Sequence, residues 1–276
     1  MRQFVCSRMP DSEGAIALSA KEFRYLSRVL RLSEGSSIDV RLPGGSLIQM
    51  KLCTDKTENV LKAEKLPARE NIGSPCTADM PLFPPAGPEF WLFQFLPKAP
   101  KADLIVRQAA ECGISRIVAI RGEYSPPYTP RIERWQRIIR EARQQSGSPV
   151  ETKITDVLSA KEAAALWKKT TENTAAAAFI LCEREEGQKS IFSHIRHIAA
   201  VKEEKKDAGG IPFAYTAFAA GCEGGISRNE RNLLEQNGFV PIHFKTNILR
   251  AETAALYGFA AIQSAVTEYK AWKSNE

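Results

Sequence analysis

At 276 residues the chain is long enough for two domains and a sizeable buried core, so it folds without disulfide or metal staples. Hydrophobic residues at 43% and charged residues at 25% exclude a disordered or collagen-like chain, and no stretch reaches the roughly 18 apolar residues of a membrane span. The net charge of +6 leans toward a polyanionic partner.

The six cysteines show no C-x-x-C spacing and the first residues lack the apolar core of a leader, so a reduced, soluble, cytoplasmic protein is expected. Residues 1–73 read as a small β-rich unit with one helix. Ser19-Ala20-Lys21-Glu22 is a capping box that predicts a helix start. Phe23, Leu26, Val29 and Leu30 then fall on one face, and Arg24, Arg28 and Arg31 recur at i, i+4 and i+7 on another. Such a stripe can engage successive phosphates, although a solvated helix face explains it too. Pro43-Gly44-Gly45 marks a hairpin turn between strands at 37–42 and 47–53, and a further strand is expected from Val60 to Leu66. Through Arg69 there are twelve Lys and Arg against eight Asp and Glu, so this unit carries much of the positive charge.

Residues 74–89 hold five prolines and read as a stiff linker. Phe90 to Leu96 is an almost unbroken apolar run, as expected for a strand buried on both faces. Strands are then expected at 116–120, 152–157, 175–182, 212–220 and 239–244, alternating with helices from Lys101, Pro130, Ser159 and Ser190. Six strands alternating with helices imply an α/β fold with a mostly parallel sheet. In the helix from Pro130, Ile132, Trp135, Ile139 and Ala142 form the buried stripe, while arginines at 131, 134, 137, 140 and 143 wind around the rest. The charge run 202–210 reads as a surface loop.

Tyr215 to Tyr257 holds strand, special loop and helix twice over. The first apolar run breaks at Gly221-Cys222-Glu223-Gly224-Gly225, and the second at Lys245-Thr246-Asn247-Ile248-Leu249-Arg250. Glycines let a ligand approach bare backbone, and the following helix offers unpaired N–H donors. No Lys-Ser/Thr follows the glycines as a P-loop requires, and they do not fit G-x-G-x-x-G.

GCEGGIS..E followed by NILRAETA resembles the GPEGG(F/L)S..E and ILRxETA motifs of the bacterial small-subunit ribosomal RNA uridine-N3 methyltransferases, of the SPOUT superfamily. The resemblance extends to YLSRVLRL, to LPKAPKADLIVRQAAECGI and to RWQRIIREARQQSGSPV. Departures fall at Tyr25 for histidine, Gln108 for lysine, Gly147-Ser148 for arginine, Cys222 for proline, Phe244-Lys245 for Leu-Gly and Asn247 for arginine.

What the resemblance implies is a PUA-like RNA-binding β-barrel over 1–73 and a SPOUT methyltransferase domain with a trefoil knot over 74–276. It further implies S-adenosylmethionine as methyl donor, a uridine N3 of small-subunit ribosomal RNA as acceptor, a homodimer, and no metal. The cofactor residues would be Leu181, Cys182 and Glu183 in one loop and Gly221, Cys222, Glu223, Gly224 and Gly225 in the second. The third loop would give Asn247, Ile248, Leu249, Arg250, Glu252, Thr253 and Ala254. Arg250 would steady the ionised base, and Glu223 or Glu252 could accept its proton. Arg2, Arg24, Arg28, Arg31, Lys98 and Arg107 would contact RNA. Cys182 and Cys222 stay open as thiol nucleophiles, His194 and His197 as a metal pair lacking a third ligand, and His243 as core packing. A non-catalytic RNA-binding protein on this scaffold, and a methyltransferase of another RNA, are the alternatives.

Overall fold

The structure is a computed structural model that describes residues 3–43, 45–54, 59–63, 88–182, 190–203 and 213–268. It divides into two compact units, one of residues 1–84 with 140–151, the other of 85–139 with 152–276. The expected boundary at residue 73, nearly all of the proline-rich linker and most of the charge run lie outside the described residues.

In the first unit five strands form one sheet: β1 (Gln3–Val5), β2 (Ala15–Ala17), β3 (Ser37–Arg41), β4 (Leu47–Thr54) and β5 (Asn59–Ala63), in the order β1-β3-β4-β5-β2. The expected hairpin is the antiparallel pair β3 and β4, in register from Ser37 opposite Lys51 to Arg41 opposite Leu47. Ile38, Val40, Met50 and Leu52 are buried between polar neighbours, the alternation of a half-buried sheet. Strands β1 and β2 were not expected, because three residues are too few to show a period of two.

Helix α1 (Ala20–Arg24) begins at the predicted capping box, with Glu22 N–H donating to Ser19 Oγ and Ser19 N–H to Glu22. Its continuation departs from expectation. A π-helical segment spans Tyr25–Val29, with Leu30 N–H bonded five residues back to Tyr25 O. The widened turn keeps Leu26 wholly buried but turns Val29 out, to 63% exposure. Arg31 lies beyond the helix at φ 56°, so the arginines do not form the continuous i, i+4, i+7 stripe that α-helical spacing predicts. Arg24, Arg28 and Arg31 are nonetheless all exposed.

The second unit is built on seven strands, all parallel: β6 (Glu89–Phe95), β7 (Arg116–Arg121), β8 (Lys153–Ile154), β9 (Leu158–Ser159), β10 (Ala176–Leu181), β11 (Tyr215–Ala220) and β12 (Phe239–Ile242). Their order is β12-β10-β11-β6-β7-β8, with β9 also on β7. Of the strand expected at 152–157 only the two residues of β8 form, and β9 follows just beyond it. Helices α2 (Ala99–Glu111), α3 (Ile132–Ser146, whose residues from 140 onward count with the first unit), α4 (Ala160–Thr171), α5 (Ile191–Glu203), α6 (Arg228–Gln236) and α7 (Ala251–Thr267) complete the alternation. Parallel strands need such crossovers, and helices on the sheet bury β6 almost entirely.

Trp91, Phe93, Trp167 and Phe239 form the aromatic centre of one core cluster, with ring centroids 5.0–6.3 Å apart. In α3, Trp135, Ile138, Ile139 and Ala142 are buried, while Ile132 is only half-buried. The arginines of α3 divide too: 131, 134, 137 and 140 are exposed, whereas Arg143 is 8% exposed.

A second capping box opens α4 at Ser159 and Glu162, and a third opens α6 at Ser227 and Glu230. The third is buried. Glu230 accepts from Ser227 N–H at 3.0 Å and, with its other oxygen, from Glu123 N–H at 2.9 Å, tying α6 to the loop after β7. Glu230→Ala orphans both donors in a buried setting, and a loss of about 3 kcal/mol in urea unfolding is expected. A loss under about 1 kcal/mol would show that water replaces the carboxylate.

Candidate active site

Because β12, β10 and β11 are neighbours and parallel, the loops leaving their carboxyl ends meet at one edge of the sheet, the usual place for a ligand crevice. They enclose a cavity of about 590 Å³, within the range of small-molecule sites. The loop after β11 is tightly folded: Cys222 pairs with Gly225, whose N–H donates to Cys222 O at 3.0 Å. Gly225 has φ 80°, where a side chain is strained, and a Cβ on Gly221 would lie 2.8 Å from the Gly225 carbonyl carbon.

Most nominated residues meet at this cavity. From the loop after β10, Leu181 and Cys182 line it; from that after β11, Gly221, Cys222, Glu223, Gly224 and Gly225 do. Asn247, Ile248, Leu249, Arg250 and Ala254 complete the nominated set. Glu252 and Thr253 are not on the wall: Ala251 and Ala254, three apart, take the inward face of α7 and leave the intervening pair turned aside. Glu183 and Arg2 lie outside the described residues. Lys98 and Arg107 are exposed on and beside α2.

Sequence reasoning missed Lys101, Arg231, His243 and Phe244 as lining residues. His243 is not a core residue: it is half-buried, with Nδ1 3.1 Å from Cys182 O, and so joins the loops after β12 and β10. Lys101 carries no local motif. It becomes legible only through the pairing of β6 with β11, which sets Gln94 beside Ala220 and hence the start of α2 beside the glycine loop.

Lys101 is the electrostatic centre of the site. Its Nζ is 3.3 Å from Glu223 Oε1 and 3.1 Å from Glu252 Oε2, both ion-pair contacts. Lys98 N–H adds long bonds of 3.3 Å to both Glu223 oxygens at the amino end of α2, where a carboxylate is favoured. Desolvation raises both carboxyl pKa values, but their own backbone N–H groups and the Lys101 ammonium outweigh it and hold both below the ordinary value. The same partners raise the Lys101 pKa, mainly through Glu252.

The linkage has a definite sign. A depressed folded pKa contributes stability that is present above the unfolded value and lost as pH falls through the folded one. The difference in Tm between wild type and Glu223→Gln should therefore shrink as pH drops below 4.5, the ordinary value for this group. A difference that widens there would contradict the pairing.

Burial pushes the Cys222 thiol up, so it stays protonated at neutral pH and makes a poor nucleophile. Burial, with the nearby Asp103 charge, also raises the Tyr128 hydroxyl to about 12. Among the described residues no group of three or more His, Cys, Asp or Glu is placed to hold a metal, and no helix is long and apolar enough to cross a membrane.

An open parallel sheet with a backbone-lined cavity at the carboxyl ends of three neighbouring strands defines an α/β protein with a cleft of small-molecule size. The family model for the RNA methyltransferase domain matches residues 85–263, and the chain belongs to that family. It is 26% identical over 258 residues to the ribosomal RNA small subunit methyltransferase E of Synechocystis, covering 91% of this chain and 74% of that one. It is 24% identical to the ribosomal RNA small subunit methyltransferase E 2 of Borreliella burgdorferi, covering 92% and 93%. A crystal structure of the ribosomal RNA small subunit methyltransferase E from Neisseria gonorrhoeae bound to S-adenosyl methionine shares the fold, with TM-score 0.71 and 21% identity over 96% of this chain and 97% of that one.

Proposed function

We propose that this chain is an S-adenosylmethionine-dependent methyltransferase that methylates N3 of a uridine in small-subunit ribosomal RNA. The observation that carries the reading is the cavity: three neighbouring crossover loops in a chain of the RNA methyltransferase family, walled by backbone, apolar side chains and cations. The residues fit the donor. Ile180, Leu181, Ile248 and Leu249 offer apolar surface to a flat ring, and the 221–225 and 247–249 backbones offer N–H and C=O groups to its polar edges. When bound, S-adenosylmethionine supplies an electrophilic methyl group.

The chain's own part is alignment and charge. A uridine N3 carries a proton, so transfer needs an anion to form and be steadied. Arg250 stays charged, lines the cavity and is exposed, and among the described residues no carboxylate pairs with it. Glu223 and Glu252 are held ionised on Lys101, and such weak bases suit positioning better than proton abstraction. The exposed Arg24, Arg28, Arg31, Lys98 and Arg107 supply phosphate contacts in this reading.

The family resemblance supports the finer architecture as well: a PUA-like barrel over 1–73, a knotted domain over 74–276 and a homodimer in the cytoplasm. The largely antiparallel five-stranded sheet is compatible with the first, and exposed Phe192 and Tyr257 with the dimer. The test has two arms. Calorimetric titration should show donor binding, and mass mapping of small-subunit ribosomal RNA from a deletion strain should show one uridine methyl missing. No binding at millimolar donor would favour a non-catalytic RNA-binding protein. Binding with an unchanged map would favour another RNA.

A further inference from the structure

Lys101, on the first turn of α2, faces both acidic residues of the site at once. Its side chain is 28% exposed, and its ammonium ties α2 to the glycine loop through Glu223 and to the first turn of α7 through Glu252 at the edge of the cavity that Lys101 lines. Glu252 is two residues from Arg250 and feels its charge. Besides Lys101, the cation whose charge acts on Glu252 is the Arg250 guanidinium, and an Arg–carboxylate pair is the stronger, bidentate kind. With Lys101 present, Glu252 is occupied and Arg250 has no carboxylate partner among the described residues.

Resting on the acceptor chemistry proposed above, we propose that Lys101 is a positioning residue: by engaging Glu223 and Glu252 it keeps Arg250 unpaired and available to an anionic acceptor. The ammonium acts through Arg250 and need not touch the substrate.

The experiment uses the full chain as wild type, Lys101→Met, Lys101→Arg and the double variant Lys101→Met with Glu252→Gln. Two properties are read: methyl transfer to small-subunit ribosomal RNA, and the rate at which phenylglyoxal modifies Arg250, followed by peptide mass mapping. Lys101→Met should lower kcat about 30-fold or more, since it silences a group aimed at developing charge. It should also slow Arg250 modification several-fold, because a paired guanidinium is shielded. Lys101→Arg should keep both properties near wild type, which separates charge from folding. In the double variant the competing carboxylate is gone, so kcat should recover about tenfold or more and the modification rate should return to near wild type, as expected for coupled sites. A merely structural lysine predicts no such recovery. If the double variant is as impaired as Lys101→Met, or if Arg250 modification is unchanged in Lys101→Met, the proposal is overturned. If wild type transfers no methyl yet the modification rates follow the stated order, the charge relay stands and the acceptor is another anion.

Discussion

Arg250→Met should lower methyl transfer by about 10²–10³-fold while leaving donor affinity within a few-fold of wild type, the pattern for losing one preorganised donor to a developing anion. Arg250 ends the loop after β12, stands at the cap of α7 and lines the cavity, so its backbone is fixed by a helix start. It has no side-chain capping bond, which leaves the guanidinium to serve the site rather than the helix. Arg250→Lys should recover only part of the rate, because an ammonium is a point charge without the planar fork. Single-turnover assays with labelled donor and ribosomal RNA would check both variants, and calorimetry would check donor binding. A loss below about tenfold in Arg250→Met would remove the residue from this role.

A large effect on stability is also expected at Gly258, in the middle of α7. An alanine in an exposed helix interior would gain about 1 kcal/mol over glycine. Here the Cβ would overlap Phe218 Cζ and Cε1, and Phe218 is 2% exposed in the central strand β11. An aromatic ring held in a close-packed sheet has no room to retreat, and overpacking costs about 1–3 kcal/mol or more. The steric loss wins. Gly258→Ala should destabilise by about 3 kcal/mol in denaturant unfolding, with recovery of part of this when Phe218→Leu is added. Stability within about 0.5 kcal/mol of wild type would show that α7 does not approach β11 this closely.

Legibility in the sequence followed the strength of the local signals. The almost unbroken apolar run at residues 90–96 announced a doubly buried strand, and the S-x-x-E sequences at Ser19 and Ser159 marked helix starts that the structure reproduces with their reciprocal bonds. The two glycine- and arginine-bearing loops marked the cavity because strained backbone and charge at a helix start leave local traces. Lys101 left none, since its partners are 122 and 151 residues away and only strand order brings them together. The π-helical turn at Tyr25–Val29 was equally invisible: a residue inserted into a turn changes the phase of a pattern without changing its composition. His243 misled because an imidazole beside a strand end looks alike whether it packs inward or bridges two loops.

The pairing of Glu89–Phe95 with Tyr215–Ala220 has a consequence for biosynthesis. One edge of the central strand stays bare until the polypeptide has grown some 120 residues further, which at about 5–20 residues per second leaves it exposed for roughly 6–25 seconds on the ribosome. Hydrophobic strand edges of this kind are the surfaces through which nascent chains stick to one another. Premature termination or rare-codon pausing between those two segments should therefore yield insoluble product and chaperone-bound intermediates, whereas pausing after Ala220 should be tolerated.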